Sequence, residues 1–90
     1  MENAVVNRVE ISSYKYTLTA KELNNAKVYI GLSLNFKLCG TLTDDVKKNE
    51  LYILRCKIYG DSVKIVTGNS EGKLSFTEIE VYGNNDNLSI

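Results

Sequence analysis

Apolar residues along this chain alternate with polar ones more often than they recur at helical spacing, which is the signature of strands with one face on a core. In residues 3–11 the alternation sets Val5, Val9 and Ile11 on one face and Val6, Arg8 and Glu10 on the other, and predicts a strand. Residues 12–25, SSYKYTLTAKELNN, break the pattern and predict a long polar loop with a short extended piece at 15–18 and an Asn-Asn turn. A second strand follows over 26–34, with Val28, Ile30, Leu32 and Leu34 in register on one side. After Phe36, CGTLTDDVKKNE carries Gly40, Asp44, Asp45 and Asn49 and reads as a loop before the apolar run of 51–58. YGDS then makes a tight turn, SVKIVT at 62–67 alternates again, and GNSEGK is a hairpin signal ahead of a last strand over 74–82.

In that last strand Leu74 and Phe76 share one parity whereas Ile79 and Val81 share the other. Two readings fit: a strand buried on both faces, or a β-bulge near Thr77 and Glu78 that turns Glu78 toward a site at the sheet edge. The tail at 84–90, NNDNLSI, is polar and expected to fray. The pattern as a whole predicts an all-β fold.

Composition narrows what such a fold can do. Ninety residues, 43% of them hydrophobic and 24% charged, make a single folded domain with one core. Eleven Lys and Arg balance eleven Asp and Glu, so the net positive field that draws a protein to a phosphate backbone is missing and nucleic acid is not an expected partner. No apolar run approaches the roughly 20 residues that span a bilayer, and MENAVVNRVE has no export signal. The chain has no histidine, which removes the commonest metal ligand and the side chain that most often moves protons near neutral pH. Asp44 and Asp45 are adjacent on a turn, where alternation points them apart, so an enzyme is not expected. Two cysteines remain, Cys39 and Cys56, either as a disulfide or as a pair of buried thiols.

The order of features is similar to that of discoidin domains and F-type lectins. VNRVEIxSYKYxxxxKELNNAKVYIG resembles the family segment in which a strand leads into a polar loop, an "RLNNA" run and a V-Y-V-G strand. CGTLTDD, the RC at Cys56, YGDSVKIV and the closing LSFTEIEVYG continue the series, with TEIEVYG its most specific piece. The resemblance implies an antiparallel β-sandwich of the galactose-binding-like, jelly-roll kind over residues 1–90, incomplete at its N-terminal side because the first half of the family domain has no counterpart. It further implies that a partner chain or self-association covers an open sheet. On this reading the module is extracellular if secreted together with a missing N-terminal part, and otherwise belongs to an intracellular assembly.

The family's fucose site uses an Arg-x-Asp motif in the polar loop, where this chain has Tyr14, Lys15 and Tyr16, with Lys21 or Glu22 near the last basic position. The resemblance therefore points to a non-enzymatic module that recognises glycans or a protein ligand through Tyr14, Lys15, Tyr16 and Lys21. The alternative is a structural interaction protein that docks in a larger assembly after losing its sugar site. Glu78 matches a closing-strand glutamate that helps hold Ca²⁺ in calcium-binding relatives. Cys39 and Cys56 match positions that the family bridges by a disulfide.

Overall fold

Seven strands and one short helix account for the regular structure in the computed structural model, which describes residues 1–83 and 86–88. Strand β1 (Ala4–Ser12) leads to a single helical turn α1 (Thr17–Ala20) and a 3-10 turn at Lys21–Leu23. Then come β2 (Lys27–Leu32), β3 (Asn35–Thr41), β4 (Leu51–Gly60), β5 (Ser62–Val66), β6 (Glu78–Gly83) and β7 (Asp86–Leu88). One sheet has the order β4-β1-β6-β7, the other β3-β2-β5, and every described ladder is antiparallel.

The core lies between the sheets. Val6, Val9, Ile11 and Val81 enter it from the four-stranded sheet, Val28, Ile30 and Cys39 from the three-stranded one, and Ala20, Leu23, Ala26, Leu42 and Val46 close its rim. A radius of gyration of 12.6 Å is close to the roughly 12 Å expected of a compact chain of this length. The chain's own two sheets thus enclose this core.

Both ladders next to the sheet junction carry a bulge, and each bulge falls at a cysteine. Val28 pairs with Gly40 and Tyr29 with Leu38, so Cys39 is the extra residue of β3. Without it, alternation would turn Leu38 inward; instead Leu38 is exposed and Cys39 is buried. In the other sheet Val6 pairs with Ile58 and Arg8 with Arg55, so Asn7 alone faces Cys56 and Lys57. The two sulfurs form a disulfide with Cα atoms 5.1 Å apart, joining an edge strand of one sheet to an edge strand of the other.

The β4 bulge corrects the expected face of β1. Because β4 keeps Tyr52, Leu54, Cys56 and Ile58 inward without interruption, β1, with one residue fewer in that interval, must switch parity. Val6 therefore joins Val9 and Ile11 in the core, and Val5 does not.

Other boundaries also differ from expectation. The loop over 12–25 contains α1 and the 3-10 turn in place of an extended piece. CGTLTDDVKKNE begins inside β3 and returns Leu42 and Val46 to the core. Leu34 sits at the tip of the β2–β3 hairpin, where Ser33 has φ of 58°, the positive value that a tight two-residue turn demands. GNSEGK does not join paired strands: Thr67 and Asn69 fold the segment onto the Lys73 carbonyl, and β5 and β6 lie in different sheets. The parity change near Thr77 marks the start of β6 at Glu78, with Leu74 and Phe76 packing against the core from irregular backbone. Part of the polar tail, β7, pairs with β6; residues 84, 85, 89 and 90 lie outside the described residues.

YGDS is a corner between sheets. Asp61 alone separates β4 from β5, and its N–H donates to the Gly31 carbonyl at 2.9 Å. A Cβ on Gly60 would sit 2.5 Å from that same oxygen, so the chain can make this crossing only with glycine.

Two expected outcomes test this account. Replacing both cysteines by alanine removes a link across 17 residues and should lower unfolding free energy by about 3 kcal/mol in the chain-entropy model, read from urea midpoints. Ser13 is only 2% exposed; its hydroxyl donates to the Lys47 carbonyl at 2.5 Å and accepts from the Glu50 N–H at 2.9 Å. Ser13→Ala should cost about 1–3 kcal/mol in the same measurement by stranding both groups.

Candidate functional site

The segment that follows β1 is pinned from two sides. The Thr77 hydroxyl donates to the Ser13 carbonyl at 3.1 Å, and the Asn49 N–H donates to the Tyr14 carbonyl at 3.1 Å. Tyr14 is half-buried as a result, whereas Lys15 and Tyr16 project into solvent. The two tyrosine rings lie 5.8 Å apart at 46°, within the range of a tilted aromatic pair. The Lys15 ammonium lies 5.3 Å from the Tyr16 ring centroid. These three expected site residues form one small cluster, exposed at Lys15 and Tyr16.

Lys21 is set apart from it. It lines a groove of about 320 Å³ with Leu18, Glu22, Asn69, Glu71 and Lys73, between the helical turns and the 67–73 segment. Asn69 holds the two sides together by donating to the carbonyls of Glu22 and Lys73 at 3.1 and 2.6 Å. The Lys21 ammonium is bound to Asp45 at 2.6 Å, and Lys47 binds the other oxygen of the same carboxylate at 2.6 Å. Hydrogen bonds from Lys21 and then Lys47, backed by their charges, hold the Asp45 carboxyl down to about 2. The same contacts push the Lys47 ammonium up.

Glu78 opens β6 on the outer face of its sheet. Cross-strand pairing places Ser12 beside Glu78, Glu10 beside Glu80, and Arg8 beside Tyr82. Arg8 donates to Glu10 at 2.6 Å and stacks 3.8 Å from the Tyr82 ring centroid, while the Tyr82 hydroxyl donates to Glu80 at 2.9 Å. A hydrogen bond with Glu80, and then its negative charge, push the Glu78 carboxyl up. Calcium asks for about six to eight oxygens. Among the described residues no group of three or more acidic, Cys or His side chains is disposed to hold a metal.

A further concavity, of about 430 Å³, opens where the β2–β3 hairpin faces the end of β4. Ile30, Leu32, Phe36, Ile58 and Tyr59 make it apolar, and Lys37 is the charged residue of its lining. Leu34, 93% exposed, stands at the adjoining hairpin tip. Sequence reasoning missed this cleft because it treated Leu32 and Leu34 as core positions of one strand. The signal was LSLNF, where Ser33 and Asn35 interrupt the apolar run and offer a turn.

Titration of individual carboxyls by NMR checks the electrostatics. A depressed folded value means that Asp45 stabilises the fold fully above its ordinary 3.8 and loses that contribution as pH falls through about 2, so its midpoint should lie near 2 and rise in Lys21→Ala. Glu78 has the opposite sign: its contribution favours the fold at low pH and is lost as pH rises through its elevated value, and Glu80→Gln should return it to the ordinary range. No protein-family model, no curated protein and no solved structure matches this chain.

Proposed function

We propose that this protein is a non-enzymatic interaction module, a variant of the galactose-binding-like sandwich that docks in a larger protein assembly. The fold reading is supported by the ordered motifs from NNAKVYIG to TEIEVYG together with two antiparallel sheets joined through Cys39 and Cys56. The docking reading is carried by the apolar cleft between the β2–β3 hairpin and the end of β4, with Leu34 exposed beside it. Apolar walls with few polar groups suit an inserted hydrophobic side chain, and Lys37 at the rim suits a carboxylate next to it. β3 is a sheet edge, so an extended segment can also pair with its backbone. The occupant that fits is an extended protein segment with an apolar residue beside an acidic one.

A lectin reading retains one specific observation in its favour, the half-buried Tyr14 paired with the exposed Tyr16 and Lys15, because tyrosine faces stack on sugar rings and an ammonium donates to hydroxyls. Against it, Lys21 is committed to Asp45 in a separate groove.

Selecting a random peptide library on the wild-type protein distinguishes the two. Enriched peptides should pair an apolar residue with Asp or Glu, and Leu34→Asp or Lys37→Glu should weaken them by about tenfold or more. Enrichment that ignores both substitutions, or a glycan-array signal abolished by Tyr14→Ala and Tyr16→Ala, would overturn the docking reading in favour of a sugar site.

A further inference from the structure

The outer face of the four-stranded sheet is electrically divided, exposed along β4 and at Glu78 and half-buried at Arg8, Glu10, Glu80 and Tyr82. Toward the start of β6 it carries Glu10, Glu78 and Glu80, beside Leu51 and Ile53 of β4, which are 53% and 44% exposed. Further along β4 it carries Arg55 and Lys57, both exposed and in no ion pair among the described residues. Arg8, between the two patches, is engaged by Glu10 and stacked on Tyr82.

Charges arranged this way on one face are complementary to the same face turned over. A two-fold axis lying in the interface and crossing the face between the patches sets each acidic patch against the partner's Arg55 and Lys57, the self-complementary arrangement that an isologous contact requires. Placing the axis there also brings the Leu51 and Ile53 side chains out of water. A net charge of zero adds no overall repulsion between copies.

We propose that the outer face of β1, β4 and β6 is a self-association surface whose occupant is a second copy of this chain. This does not depend on the cleft at the β2–β3 hairpin. The ten residues of β4 extend about 33 Å and three strands cover about 14 Å, so each copy offers on the order of 460 Å². That is below the roughly 800 Å² per partner of standard stable interfaces and places the dimer among weak, reversible ones. The free edge of β4 argues for face-to-face contact in preference to strand pairing, because antiparallel pairing of two β4 edges about Arg55 would oppose two guanidinium groups.

Sedimentation equilibrium of the oxidised full chain is the test. Wild type should be a monomer–dimer mixture that shifts to monomer at high salt. R55E/K57E should be monomeric, E78K/E80K should be monomeric, and an equimolar mixture of the two should recover a one-to-one dimer. Circular dichroism establishes that each variant is folded. A readout free of substitutions comes from wild-type amide resonances, whose shifts on dilution should map to β1, β4 and β6. A wild type that stays monomeric throughout the micromolar range, folded variants that dimerise as wild type does, a mixture that stays monomeric, or dilution shifts confined to the β2–β3 hairpin would each overturn the proposal.

Discussion

The Cys39–Cys56 bond is the constraint around which this small fold is arranged. It joins β3 and β4, edge strands of different sheets that no described ladder connects, and it does so where each strand carries one residue more than its neighbour. A bulge bends a strand and re-aims side chains, and here the two bulges aim two sulfurs at each other. Sheets of three and four short strands have little apolar surface to spend on holding themselves together, so a covalent link between them is disproportionately valuable in a chain of this length. Its neighbourhood is built for close approach: a Cβ on Gly40 would lie 2.9 Å from the Leu54 side chain. Beneath the bond the 42–50 segment is drawn in, with Leu42 and Val46 buried and the Val46 N–H donating to the Asn24 side chain at 2.7 Å.

Away from the bond, the two edges have no such tether, and the apolar cleft opens between Phe36 and Lys37 on one side and Ile58 and Tyr59 on the other. The cleft thus follows from how the core is closed. The Gly60 corner has the same effect from the other direction, since it sends the chain from β4 straight into the second sheet. The four-stranded sheet presents an outer face whose charges run from acidic at Glu78 and Glu80 to basic at Arg55 and Lys57.

Much of the strand pattern was legible from alternation alone. β2, β4 and β5 fall where apolar residues recur at every second position, and β1 is where it was expected with its outer face of Arg8 and Glu10. The pairing of Cys39 with Cys56 was legible through a resemblance, while the residues alone left bridge and buried thiols as open alternatives. Of the site residues, the Tyr14, Lys15 and Tyr16 cluster stayed together, as neighbours in sequence must. Lys21 did not join it, because a helical turn begins at Thr17 and Asp45, distant in sequence, claims the Lys21 ammonium.

What the sequence by itself determined is the strand content, the balance of charge and the absence of histidine, because these rest on residue identity and on a period of two that any strand obeys. Only the tertiary structure decided which parity is inside. A bulge at Cys56 exchanged Val5 for Val6, a bulge at Cys39 exchanged Leu38 for Cys39, and a turn at Ser33 put Leu34 in water. An extra residue in a ladder is invisible in a single strand, since it exists only relative to the strand beside it. The cleft and the divided face of β1, β4 and β6 are likewise made by residues that strand pairing brings together, and the ion pair of Lys21 with Asp45 by the packing of two loops distant in sequence.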